Sequence, residues 1–322
     1  MLRDLPSAQI GARAAANPIR QKTLKSGIHC SGIGLHSGAK ISMALQPADC
    51  NTGITFRRTD VAAAASDIHA LYSNVCDTRL CTTLTNEHGV SVATVEHLLA
   101  AMAGCEIDNA VVELDGSEVP IMDGSSEPFV FLIECAGIVE QDAPRQAIEI
   151  LKPVTARIGD AVAMIEPSPT FSIQLGIAFD NPLIGEQEFD IHVTSDNFKS
   201  DICRARTFGF IEDVQALRKA GLVQGGSLDN AIVVSGDEIL NDGGLRYDDE
   251  FIRHKVLDCI GDLYLAGGLL IGQFTGHRAG HQVNNLLLRT LFADKEAWSC
   301  VPMEDRFDLP AQEWNEPAAA VA

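Results

Sequence analysis

Three absences narrow what this chain can be. Its nine cysteines are odd in number and include no C-x-x-C pair across 322 residues. That pattern points to reduced thiols in a cytosolic protein rather than to a disulfide framework. Cys76 and Cys81 are read as small buried hydrophobes, not as metal ligands. No stretch approaches the roughly 18 apolar residues of a membrane span. The first 20 residues hold Arg3, Arg13 and Arg20 but no unbroken apolar core of a secretory signal. Positive charge is scarce: 24 Lys and Arg stand against 44 Asp and Glu, a net charge of −20. Such a balance favours solubility and argues against nucleic acid as a partner.

What is present is an ordinary globular composition, 46% hydrophobic and 21% charged. The length suits two domains rather than one. A boundary is expected at Gln141-Asp-Ala-Pro-Arg145, polar and proline-containing between apolar segments. The expected organisation is therefore a loose extension over 1–19, domains over 20–142 and 143–310, and a flexible Pro- and Ala-rich tail over 311–322.

Val95, Leu98, Leu99 and Met102 recur at i, i+3, i+4 and i+7, which predicts a helix over 95–103 with one apolar face. Thr94 is its expected N-cap and Gly104 its stop. Glu96 and His97 fall on the other face with Ala100, Ala101 and Ala103, where a surface helix would carry charge. That small, uncharged face implies another packed layer, placing Glu96 and His97 in an interior crevice. A second helix is expected over 249–266, with Ile252, Val256, Cys259, Ile260 and Leu263 facing the core. His254, Asp258 and Asp262 recur every four residues opposite, with Lys255 at the edge. Neighbours at that spacing can touch one metal.

Taken alone, an acid in a first helical turn and a His–Asp pair on a polar helix face are both commonplace. Together they supply two imidazoles, a carboxylate and a spare glutamate beside a ligand. That is the inventory of a catalytic zinc site: three protein ligands, an open position for water, and a base. The halves also share a faint plan. The first helix is followed by a strand over 109–114, the loop Met122-Asp-Gly-Ser-Ser126, and a helix from about Pro128. The second is followed by a strand over 269–275, the turn Gly276–Gly280, and a helix from about Gln282. Glycines in that turn permit close approach to a ligand, and a helix start favours anions. Layered α+β domains built as duplicated units would bring His97 and His254 together.

Several runs carry a family resemblance. They are Leu80-Cys-Thr-Thr-Leu-Thr-Asn-Glu-His88, the Thr94–Gly104 helix, Asp108-Asn-Ala-Val-Val-Glu113 and Val119-Pro-Ile-Met-Asp-Gly124. Arg204-Ala-Arg-Thr-Phe-Gly-Phe210, Gly225-Gly-Ser-Leu-Asp229, Arg253-His-Lys-Val-Leu-Asp-Cys-Ile-Gly-Asp262 and Ala279-Gly-His-Gln-Val-Asn-Asn285 continue the series. In order and spacing, over about residues 20–310, the chain resembles the zinc-dependent UDP-3-O-acyl-N-acetylglucosamine deacetylases of lipid A biosynthesis.

The resemblance implies two similar two-layer α/β sandwich domains whose helix layers pack together around the metal. It implies His97, His254 and Asp258 as zinc ligands, with ferrous iron as an alternative metal in the cell. It implies Glu96 as general base, His281 as oxyanion stabiliser and proton donor, Asp262 as that histidine's partner, and Thr207 as a second oxyanion donor. Phe208 is implied to lie against the sugar and Lys255 near the diphosphate. An insert near 214–234 would form a passage for the acyl chain, and the tail would offer a handle to a regulatory protease. The substrate implied is UDP-3-O-acyl-N-acetylglucosamine, and a cytoplasmic monomer is expected. The extension at 1–19 and His277 depart from the family pattern, and His277 is given no catalytic role. Two other readings remain at this point: a zinc amidohydrolase of another acylated amino sugar, and a non-catalytic nucleotide-sugar sensor. Glu96 and His281 speak against the sensor, which needs neither base nor proton donor.

Overall fold

The computed structural model describes residues 18–303. The expectations for residues 1–17 and for the tail over 311–322 lie outside these residues. The chain folds as α+β. Its first half opens with strands β1 (Arg20–Leu24), β2 (Ile28–Ile33), β3 (Lys40–Pro47), β4 (Ile54–Arg58) and β5 (Asp67–His69). Short strands β6 (Val75–Asp77), β7 (Thr83–Thr85) and β8 (Ser91–Val92) follow. Then come α1 (Glu96–Gly104), β9 (Ala110–Leu114), α2 (Glu127–Ala136) and β10 (Ile138–Pro144). The second half starts with β11 (Gln146–Ile150), β12 (Val154–Ile158), β13 (Ala161–Glu166), β14 (Phe171–Ala178) and β15 (Glu186–His192). A single turn α3 (Ser195–Asn197), β16 (Phe208–Phe210), α4 (Ile211–Lys219), β17 (Ile232–Ser235) and β18 (Glu238–Ile239) come next. The half closes with α5 (Glu250–Tyr264), β19 (Leu269–His277), α6 (His281–Ala293) and β20 (Trp298–Pro302).

Side chains two apart share one face of a strand, and the sequence uses this. Ile41, Met43 and Leu45 of β3, and Phe171, Ile173, Leu175 and Ile177 of β14, are all buried. The two main sheets repeat one plan. In the first, the order is β2-β3-β9-β4-β5, with β9 antiparallel to β3 and parallel to β4. In the second, β12-β13-β19-β14-β15 has the same order and the same directions, β19 being antiparallel to β13 and parallel to β14. β11 and β20 extend the second sheet from the start of β19. The duplicated plan read from sequence is thus a duplicated topology, although almost no residue identities accompany it.

Two segments break the repeat, and both fall between the fifth strand and the helix that carries His97 or His254. In the first half it is the small β6-β7-β8 sheet; in the second it is α3, α4 and the β16-β17-β18 sheet. The helices α1 and α5 pack directly on one another. Gly261 makes this approach feasible, since a Cβ there would overlap the Glu96 carbonyl. Ala100 and Ala101 on the same side are fully buried, as the uncharged helix face implied.

One local expectation is corrected. Thr94 does not cap α1: its side chain accepts no backbone N–H, and the helix begins at Glu96. Thr94 instead adopts φ +59°, and its hydroxyl donates to buried Glu118 (3.2 Å). That left-handed backbone lies outside the extended region an N-cap residue usually adopts. The Gln141–Arg145 segment, where the boundary is expected, is partly built into a strand. β10 pairs antiparallel with β1, with Glu140 and Asp142 exposed and half-buried Gln141 bonded to Asn109 and to the Ala48 carbonyl. Arg145 is 2% exposed and donates to Asp108 (2.8 Å) and Glu106 (3.2 Å).

Candidate active site

His97 enters the site from the first turn of α1, with its carbonyl held by the Ser126 hydroxyl (2.7 Å). His254 and Asp258 come from one face of α5, a turn apart. All three are buried, and one donor atom of each lies within 4.8 Å of the others. Asp258 Oδ1 is 3.5 Å from His97 Nε2 and 3.4 Å from His254 Nε2. These gaps exceed good hydrogen bonds. They fit the edges, about 3.3 Å, of a tetrahedral site with metal–ligand bonds of about 2.0–2.1 Å.

The donor chemistry fits a cation as well. His254 Nδ1 donates to the Ala205 carbonyl (3.1 Å), which leaves Nε2 with its lone pair. Burial pushes the His254 pKa down to about 4 against the pull of Asp258, so the ring is neutral near pH 7. Burial would raise the Asp258 pKa, yet His254 and Lys255 hold it well below the usual carboxylate range. A neutral imidazole and an ionised carboxylate are the forms that bind metal.

Beside this triad stand Glu96 and His281. Burial raises the Glu96 pKa, offset in part by His281 and His97. The Glu96 carboxylate accepts the Thr82 N–H (3.0 Å) and faces His281 Nε2 at 3.9 Å. His281 Nδ1 donates to Asp262 Oδ2 (2.8 Å). Burial alone would lower the His281 pKa, but Asp262, by charge and hydrogen bond, outweighs it and raises the value to about 9.

Comparison with known proteins bears on this arrangement. The family model described as "LpxC: UDP-3-O-acyl N-acetylglycosamine deacetylase" matches residues 21–293. The UDP-3-O-acyl-N-acetylglucosamine deacetylase of Acidithiobacillus ferrooxidans is 52% identical over 290 residues, covering 89% of this chain and 95% of the relative. The enzyme of the same name from Pseudomonas entomophila is 51% identical over 305 residues, covering 94% and 100%. That from Thioalkalivibrio sulfidiphilus is 49% identical over 304 residues, covering 94% and 99%. The chain belongs to the UDP-3-O-acyl-N-acetylglucosamine deacetylase family.

The other residues singled out in the sequence are placed as follows. Thr207 precedes β16, pinned by its N–H to the Gly124 carbonyl (2.8 Å) and by its own carbonyl to the Ile232 N–H (2.8 Å). Gly124 has φ +85°, and a Cβ there would overlap the Asn230 carbonyl, so the loop reaches Thr207 only with glycine. The Phe208 ring stacks edge-on with Phe251 (5.0 Å) and Phe179 (5.7 Å) and lies 6.3 Å from the His254 ring. Lys255 has a partner the sequence did not announce: its ammonium donates to Asp258 Oδ2 (2.7 Å). Arg253 is engaged elsewhere, with Asp249 and over the rings of Phe189 and Tyr247. His277 stands at the exposed end of β19.

The two insertions flank the site. A cavity of about 390 Å³ lies between them, lined by Leu80, Cys81 and Ala93 from one side and Leu217 and Leu222 from the other, with His36 and Arg79. Contacts from loop 34–38 fasten the second insertion, through the Gln224 and Gly225 N–H groups to the His36 and Leu35 carbonyls. Sequence reasoning missed Thr82, Glu118, Ser126 and Asn284. Thr82 lay inside a recognised run, but nothing in the run tells which atoms its side chain meets. Among the described residues no helix is long and apolar enough to cross a membrane.

Proposed function

We propose that this protein hydrolyses the acetamide of UDP-3-O-(3-hydroxyacyl)-N-acetylglucosamine, releasing acetate in lipid A biosynthesis, with zinc as its resident metal and ferrous iron as an alternative. The observation that carries the reading is the pairing of buried Glu96 with half-buried His281, set beside three converging donors. His97, His254 and Asp258 would hold the cation. When bound, it supplies Lewis-acid charge that eases ionisation of water and polarises the carbonyl.

Glu96, adjacent to a ligand and raised in pKa by burial, accepts the proton of the attacking water. Thr207 and protonated His281 donate to the oxyanion that develops on the acetamide oxygen. His281 then passes its proton to the departing amine nitrogen, and Asp262 keeps the imidazole charged until that moment. The products are acetate and the free amino sugar nucleotide. Phe208 offers an aromatic face to the sugar, and Lys255 offers charge to the diphosphate. The cavity between the insertions accommodates the acyl chain, and 20–142 and 143–310 act as the two domains. The enzyme works as a cytoplasmic monomer, and the tail over 311–322 serves as the handle for a regulatory protease.

The experiment is acetate release from substrates of several acyl lengths, with metal analysis alongside. A dependence on the acyl chain is expected. Equal turnover of the deacylated sugar nucleotide would point instead to an amidohydrolase of another amino sugar.

A further inference from the structure

Thr82 makes two hydrogen bonds that join the catalytic groups of the two halves. Its backbone N–H donates to Glu96 Oε2 (3.0 Å), and its hydroxyl donates to Asp262 Oδ1 (2.6 Å). The other Asp262 oxygen accepts from His281 Nδ1 (2.8 Å) and Asn284 Nδ2 (3.0 Å). His281 Nε2 faces Glu96 Oε1 at 3.9 Å. Thr82, Glu96, His281 and Asp262 therefore close a ring around the place where the proton must travel. Thr82 is the one member that does not titrate, and it lies on the first insertion rather than on a helix. It is 2% exposed, so solvent does not readily replace its hydroxyl.

We infer that Thr82 is a positioning residue for the acid–base pair. A carboxylate can rotate about its terminal torsion, and that torsion is broad. The Thr82 hydroxyl occupies Oδ1, leaving Oδ2 directed at His281. The Thr82 N–H fixes the other partner by holding one Glu96 oxygen and leaving Oε1 towards His281. Without the hydroxyl, Oδ1 is buried with no donor, and the carboxylate turns to share the donors of Oδ2. His281 then loses its fixed orientation towards the leaving nitrogen. This inference rests on the roles proposed above for Glu96 and His281.

Thr82→Val isolates the hydroxyl, because it keeps the side-chain shape and the N–H to Glu96. On UDP-3-O-(3-hydroxyacyl)-N-acetylglucosamine its kcat should fall about 10- to 100-fold, the usual cost of losing such a partner. KM and metal content should not change, and Thr82→Ser should restore most of the rate. Should the valine protein not fold, Thr82→Ala gives the same contrast with serine. Combined with Asp262→Asn, Thr82→Val should add no further loss, because both act through one carboxylate. Unchanged kcat, a loss confined to KM or metal content, no rescue by serine, or fully multiplicative losses would each overturn the inference. Wild-type protein that releases no acetate would overturn the proposed reaction instead, so the two failures are told apart.

Discussion

Glu96 and His281 face one another at 3.9 Å, each with its own anchor. The two can therefore be tested apart. Glu96→Ala should retain metal while acetate release falls on the order of 10²-fold or more, the loss expected of a general base. The pH profile separates the acid. Its pKa of about 9 is a raised value, so the protonated form is present below that pH and is lost as pH rises through it. Asp262→Asn removes the charge that raises it, and the alkaline limb of the rate profile should move to lower pH. An unmoved limb would assign that limb to another group. Lys255 has a second contact besides the part proposed for it at the diphosphate. Because it pairs with Asp258, Lys255→Ala should change metal affinity as well as KM, which metal titration would detect.

The element that decides the site is the contact between α1 and α5, and one glycine controls it. Alanine usually strengthens a helix interior relative to glycine. At Gly261, however, the new methyl would meet the Glu96 carbonyl. Gly261→Ala should thus destabilise by about 1–3 kcal/mol through overpacking and weaken metal binding together, seen in denaturation midpoints and metal titration. These two helices were also the most legible part of the chain. The 3.6-residue period of Val95, Leu98, Leu99 and Met102 marked one, and the four-residue spacing of His254, Asp258 and Asp262 marked the other. Local pattern could not reach what depended on distant partners. Thr94 reads as a cap until Glu118, 24 residues on, takes its hydroxyl. Thr82 meets Asp262 across 180 residues of sequence, a separation that no periodicity encodes. Arg145 looked like part of a polar connection because its partners, Glu106 and Asp108, belong to another segment.

At the scale of the whole molecule, each half has its own sheet and the apolar core runs continuously through both. The ligands are few beside that core. Chelation should therefore abolish activity while leaving the cooperative unfolding transition intact. Loss of structure on chelation would make the metal structural. The seam between the halves is more vulnerable at Arg145. Removing its buried guanidinium leaves Asp108 without its charge partner and with only the Lys22 N–H as donor, and Arg145→Ala should cost about 3–5 kcal/mol, measured by urea denaturation.

The matched placement of the two insertions has a consequence for how this scaffold diversifies. The three converging donors come from the repeated architecture, whereas what borders the cavity comes largely from the unrepeated connections. Recognition and chemistry are thereby divided between parts of the chain that can change independently. A chimera that exchanges residues 211–239 for the matching segment of a relative should keep its metal content while altering its preference for acyl length. Loss of metal in such a chimera would show that the two parts are interdependent after all.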